Sequence, residues 1–250
     1  MATAILTAAS YAPGGALTRE YGIAKRVITL CASPLFTGLS MRECAQIASI
    51  ASERFFERNQ PLFMQGQPAR HLMMIRAGSV KVSQLSRNGE EAVLLMTGPG
   101  DPLGMLTEAL SQTYTCTASA MAPTIALVWE YARLQGLIPE IPQMRQNISQ
   151  ILTSRLEELQ ERFREVATEK VAPRVAKALM RLVKQVGRPV RGGIEISLSR
   201  EELAQMTGTT LFTTSRLLAK WGGEGFIQPR REAVVVLDAL RLEQVSCLEG

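Results

Sequence analysis

At 250 residues with 46% apolar side chains, the chain has room for two ordinary domains and is too apolar to be disordered. Its net charge of +5 is unevenly spread: from residue 173 onward about 12 basic residues stand against about 8 acidic ones, a bias that suits polyanion binding. No run approaches the roughly 18 consecutive apolar residues that cross a bilayer, and the N-terminus lacks a charged start followed by an apolar core. A cytoplasmic protein with no membrane partner is expected. Four dispersed cysteines, Cys31, Cys44, Cys116 and Cys247, and one histidine, His71, give no metal-ligand spacing, so neither a metal nor a cofactor is predicted. Such cysteines are usually reduced and packed as small apolar groups.

Residues 1–30 are rich in Ala, Thr and Gly without a sustained period, and read as a flexible N-terminal arm. A capped helix is predicted from Ser40, with Met41, Cys44, Ile47 and Ala48 at helical spacing. Between about residues 53 and 128 short apolar runs alternate with glycine turns, as in Met74-Ile75 then Gly78, Val80-Lys81-Val82, and Val93 to Met96 then Gly98-Pro99-Gly100-Asp101. This pattern predicts an antiparallel sandwich or barrel, placed at 31–142. Asn88-Gly89 is the sharpest hairpin signal, since both residues tolerate the positive φ of a tight primed turn.

After Pro142 the period turns helical. Met144, Ile148, Ile151, Leu152, Leu159, Phe163 and Val166 form a stripe broken by Arg155, assigned to a helix over 143–170. A narrow apolar seam flanked by charges suits pairing with a copy of the same helix, with Ile148, Ile151, Leu152, Leu159, Phe163 and Val166 at the dimer interface. Packing on the chain's own barrel explains its early turns equally well.

The remaining 171–250 open on a helix with Pro173 in its first turn, then Gly187 and Gly192-Gly193 as breaks, and a short strand through Ile194, Ile196 and Leu198. Ser199 with Glu202 is a capping-box start, Gly208 suits a left-handed helix end, and Thr209 or Thr210 can cap a second helix running to about Trp221. Two short helices around a glycine turn make a helix-turn-helix, whose second helix enters the major groove. With Thr214, Leu217, Leu218 and Trp221 inward, Arg216, Ser215, Thr213 and Phe212 are the candidate base readers. Arg216 leads them, because its planar fork matches guanine O6 and N7; pairing with Glu202 or with a phosphate is the alternative. Thr209, Thr210 and Lys220 are candidate backbone contacts. So are Arg230 and Arg231, on a polar hairpin between Phe226-Ile227 and Val234–Leu237 that reads as a wing.

With these residues in view the chain resembles the Crp/Fnr superfamily of bacterial transcription regulators over about residues 34–242. The resemblance rests on Phe63-Met64-Gln65-Gly66-Gln67-Pro68-Ala69, Ile75-Arg76-Ala77-Gly78-Ser79-Val80-Lys81-Val82, Asn88-Gly89-Glu90-Glu91, Gly98-Pro99-Gly100-Asp101 with Gly104, and the run from Thr209 to Leu218. It implies an α+β chain: an N-terminal antiparallel β-barrel like a cyclic-nucleotide-binding jelly roll, a long dimerisation helix, and a C-terminal winged helix-turn-helix. It further implies a homodimer on a near-palindromic site in double-stranded DNA, with RNA polymerase as partner, commonly as an activator.

The departures concern the signal. Cyclic-AMP-binding members carry a glutamate after the barrel glycine and an arginine before a small hydroxyl residue. Here Met105 follows Gly104, and Tyr114 precedes Thr115, so the effector pocket reads as degenerate and cyclic AMP binding as lost. The clustered N-terminal cysteines of iron-sulfur members are absent, and His71 is the only histidine for a haem, so neither cofactor is expected. A constitutive regulator, or one answering an unidentified redox, gas or small-molecule signal, remains; haem or thiol sensing is the alternative. A ligand-binding or enzymatic barrel is the rival class, and without a nucleophile-base pairing it has little to do chemistry with.

Overall fold

The computed structural model describes residues 16–104 and 113–247. Met105 therefore lies outside the described residues.

Helix α1 (Ala16–Cys31) packs on α2 (Met41–Ser49), and a 3-10 turn, Pro34–Phe36, lies between them. The expectation of a flexible arm over residues 1–30 is corrected for residues 16–30, which are helical; residues 1–15 lie outside the described residues. Ile23, Val27 and Leu30 recur at helical spacing and pack with Cys44, Ile47 and Ala48, and Arg26 donates to the carbonyls of Ala48 (3.3 Å) and Ala51 (2.7 Å) at the end of α2. Each fully buried aliphatic side chain contributes about 1.5–3 kcal/mol, enough to hold a helix of mediocre composition. Helix α2 starts at the predicted cap, Ser40, which with Glu43 forms a capping box, each side chain satisfying the other's backbone N–H.

The barrel is two four-stranded antiparallel sheets. One orders β1 (Ser52–Phe56), β8 (Thr124–Glu130), β3 (His71–Ala77) and β6 (Pro102–Leu103); the other orders β2 (Pro61–Phe63), β7 (Thr117–Ala120), β4 (Val80–Leu85) and β5 (Glu91–Thr97). Their inward faces meet in a core that includes Phe63, Met73, Ile75, Val82, Leu103, Tyr114 and Val128. The Asn88-Gly89 hairpin forms, but only Gly89 takes positive φ (+83°). Gly89 N–H donates to the Ser86 carbonyl and Ser86 N–H to the Glu90 carbonyl, so the loop is wider than a two-residue primed turn.

Helix α3 (Tyr131–Leu137) and a short 3-10 turn lead into α4 (Pro142–Thr168), 27 residues long. The first turns of α4 belong to the barrel side: Met144 is buried, Ile148 and Ile151 pack beside it, and the buried Asn147 amide donates to the carbonyls of Leu35 and Thr37, both at 2.9 Å. Helix α5 (Val171–Val186) follows, then the β9 (Arg188–Val190) and β10 (Gly193–Ile196) hairpin. Strand β9 was not legible in the sequence, where Arg188-Pro189-Val190 reads as part of the break after the helix. Helices α6 (Arg200–Thr207) and α7 (Leu211–Gly223) precede the wing strands β11 (Ile227–Pro229) and β12 (Val234–Val236), which complete the sheet β11-β12-β10-β9; α8 (Ala239–Ser246) closes on α5.

The two halves are not strung on α4 alone. Val93, Met96 and Met121 of the barrel share one core with Leu179, Ile196, Leu198, Leu203 and Phe226. No helix among the described residues is long and apolar enough to cross a membrane.

Candidate nucleic-acid interface and barrel cavity

The reading head is built by three local devices. Ser199 N–H donates to the Glu202 carboxylate (2.7 Å) and Glu202 N–H to Ser199 Oγ (3.1 Å), which starts α6. Gly208 ends that helix at φ +58°, where a side chain would be strained. Thr210 then caps α7, accepting from Thr213 N–H at 3.2 Å. A fourth device was not foreseen: the buried Arg174 of α5 donates to the Val166 carbonyl at the end of α4 (2.9 Å) and to the Gly208 carbonyl (3.4 Å). One guanidinium thus joins the long helix to the turn of the reading head.

On α7 the inward residues are as expected, with Thr214, Leu218 and Trp221 buried and Leu217 packed on the same core. Phe212 is 75% exposed, Arg216 and Lys220 are exposed, and Ser215 and Thr213 are half-buried. Arg216 makes no ion pair or hydrogen bond among the described residues. Glu202, offered above as its alternative partner, is taken by Ser199 and by Lys81 (3.3 Å). Thr213 is less free than expected, since its hydroxyl shares a hydrogen bond with Thr210 (3.0 Å). Lys220 stands loosely near Glu224 at 3.9 Å, and Thr209 N–H donates to the Ala204 carbonyl (3.0 Å).

The two wing arginines differ. Arg230 is held by Glu195 and Gln228, whereas Arg231 is exposed with no partner among the described residues. Glu195 also takes Arg188 at 2.7 Å, and that hydrogen bond leads in holding its carboxyl below the usual range, with Arg230 adding to it.

In the barrel, Gly104, Tyr114 and Thr115 line a cavity of about 340 Å³ together with Phe63, Leu95, Leu103 and Cys116. Tyr114 is fixed: its ring stacks on Phe63 (4.0 Å, 15°), and its hydroxyl donates to the His71 carbonyl (2.9 Å) while accepting from His71 N–H (3.2 Å). Burial pushes the Cys116 thiol up, so it stays neutral. His71 is half-buried, and burial, helped by Arg54, lowers its pKa. The fourth wall is α4, which presents Arg155, Glu158, Leu159 and Arg162.

Beyond that wall the seam of α4 leaves its later turns uncovered: Leu159 is 60%, Phe163 75% and Val166 46% exposed, and Leu156, absent from the expected set, joins them. Leu152 is half-buried. Among the described residues no three His, Cys, Asp or Glu side chains are grouped to hold a metal.

A β-barrel with an internal cavity, roofed by a long helix and docked on a winged helix-turn-helix, defines the class of a DNA-binding transcription regulator. Residues 53–140 match the cyclic nucleotide-binding domain family, and residues 173–245 match the Crp-like helix-turn-helix domain family. The chain belongs to the Crp/Fnr family of transcription regulators, whose members regulate rather than catalyse. It is 26% identical over 215 residues to the CRP-like cAMP-activated global transcriptional regulator of Mycobacterium tuberculosis, covering 85% of this chain and 96% of that protein. It is 28% identical over 214 residues to the cyclic AMP receptor protein of Thermus thermophilus, covering 86% and 97%. Among solved structures, FixK2 from Bradyrhizobium japonicum superposes with a TM-score of 0.69 at 19% identity, covering 80% of this chain and 100% of that one, a likeness of fold alone.

Proposed function

We propose that this regulator works as a homodimer paired through α4, reading a near-palindromic DNA site with two copies of α7. The observation that carries this reading is the uncovered seam of Leu156, Leu159, Phe163 and Val166. Four large apolar side chains on one helix face are costly in water, and a copy of the same helix is the self-complementary surface that covers them. Arg216 and Ser215 read bases, with Phe212 against a thymine methyl; Arg231, Lys220, Thr209 and Thr210 sit on phosphates. Arg230 reaches a phosphate only by leaving Glu195. RNA polymerase is the partner at promoters.

The chain does not answer cyclic AMP, although two relatives are named for it. With Tyr114 locked across the barrel by Phe63 and His71, an aromatic ring stands where cyclic-AMP-binding members of the resembled family place a cation. It works without haem or an iron-sulfur cluster, and its cysteines are scattered between exposed (Cys31, Cys247), buried (Cys44) and half-buried (Cys116) sites. Gel shifts on genomic fragments, repeated at several salt concentrations, test DNA binding; calorimetry with cyclic AMP tests the signal. Heat showing micromolar cyclic AMP affinity overturns the second part, and visible absorbance of protein purified without oxygen overturns the third.

A further inference from the structure

The cavity in the barrel is mostly apolar, yet a guanidinium reaches into its wall from α4. Arg155 is half-buried, and among the described residues it makes one hydrogen bond, from Nη2 to the Pro102 carbonyl at 2.6 Å, and no ion pair. Among the described residues, the two carboxylates that act on it are occupied elsewhere. Asp101 accepts from Thr97 Oγ1 and from Gly98 N–H (3.1 Å), and Glu158 accepts from Arg162 (2.6 Å) and Gln185 (3.3 Å). The Cys116 thiol, kept neutral by burial, supplies no counter-charge. Burial without a bonded anion also presses on Arg155 itself, disfavouring its charged form despite the fields of Asp101 and Glu158. A guanidinium does not give up its proton, so the cost stands until an anion arrives.

The rest of the cavity states what that anion is attached to. Phe63 and Tyr114 line it as a stacked pair of rings, Leu95 and Leu103 are aliphatic, and the volume of about 340 Å³ lies at the small end of the roughly 300–1,000 Å³ typical of ligand sites. Arg162 and Glu158 neutralise each other, which among the described lining residues leaves Arg155 as the one surplus positive charge. We infer that the barrel takes a small, flat, apolar monocarboxylate, its ring beside the stacked Phe63–Tyr114 pair and its carboxylate paired with Arg155. This names the ligand class for the sensor domain of the regulator proposed above and rests on that reading. Because Arg155 lies on α4, the ligand's charge acts directly on the helix that carries the exposed seam.

Calorimetry on the full chain with 1-naphthoate and its neutral isostere 1-naphthamide tests this. The expected result is one naphthoate per chain and binding of the amide weaker by about tenfold or more, a comparison that needs no variant. In Arg155→Gln, naphthoate affinity falls to the level of the amide, whereas Arg155→Lys keeps a preference for the acid. Equal affinity for acid and amide, undiminished naphthoate binding by Arg155→Gln, or no heat from either compound at millimolar concentration overturns the inference. Gel shifts on the same preparations keep the two readings apart. DNA binding without acid binding removes the ligand class and leaves the regulator; loss of DNA binding in the unaltered chain removes the regulator reading itself.

Discussion

Lys81 of the barrel stands 3.3 Å from Glu202, the residue that caps the first helix of the reading head, and 3.2 Å from Glu91 on the neighbouring strand. One ammonium thereby ties β4 and β5 to α6, at the edge of an apolar seam made by Val93, Met96 and Met121. The pairs are only partly exposed and share one cation, so they are worth more than isolated surface pairs. Lys81→Met is expected to lower unfolding stability by about 1 kcal/mol and to loosen the docking of the DNA-binding half. Denaturant titration of Lys81→Met, Glu202→Gln and the double variant checks the coupling; additive effects would mean that the contact does not matter.

Arg216 and Arg231 are expected to fail differently. Arg216→Ala should cost about 1–3 kcal/mol at the cognate site and relax the preference at one base pair. Arg231→Ala should weaken all sequences alike and reduce the salt slope of binding by about 1. Competition gel shifts over a library of single-base variants at two salt concentrations distinguish the two roles.

Phe163 is the most exposed member of the α4 seam, and Phe163→Asp places a charge where the partner helix is proposed to lie. Sedimentation should show a shift from dimer to monomer, with DNA affinity falling by at least about tenfold as half-sites lose their linkage. An unaltered chain that sediments as a monomer at micromolar concentration would sink the pairing.

Gly208 sits at φ +58° with Val166 3.4 Å from where a Cβ would stand, so space is adequate and conformation is the problem. Gly208→Ala should destabilise the DNA-binding half by about 1–2 kcal/mol, read by thermal unfolding, while Gly208→Asn, which tolerates the left-handed region, should cost less.

His71 supplies a pH dependence. Its folded pKa lies below the ordinary 6.5, chiefly through burial and then Arg54, so the unfolded chain takes up the proton first. Stability is therefore lost as pH falls below about 6.5 and regained as pH rises through that window. Denaturation midpoints at pH 7.5 and 5.5 should fall further in the unaltered chain than in His71→Gln; an equal fall would exclude His71 as a contributor.

Local chemistry made the reading head legible without any structure. Ser199, Glu202, Gly208 and Thr210 act within a few residues of one another, so caps and turn follow from the order of residues alone, as does the inward set of Thr214, Leu218 and Trp221. The strand runs and glycines likewise announced a barrel. What depends on distant partners stayed hidden. Helix α1 exists because α2 is there to bury Val27 and Leu30; Arg230 is neutralised by Glu195, 35 residues away; Arg174 joins α4 to the Gly208 turn; and Lys81 finds Glu202 across two domains. Arg155 is the sharpest case. In the sequence it merely interrupts an apolar stripe, and only the packing of α4 over the barrel places its charge in a cavity of aromatic and aliphatic side chains, where burial turns an ordinary cation into the feature that selects a ligand.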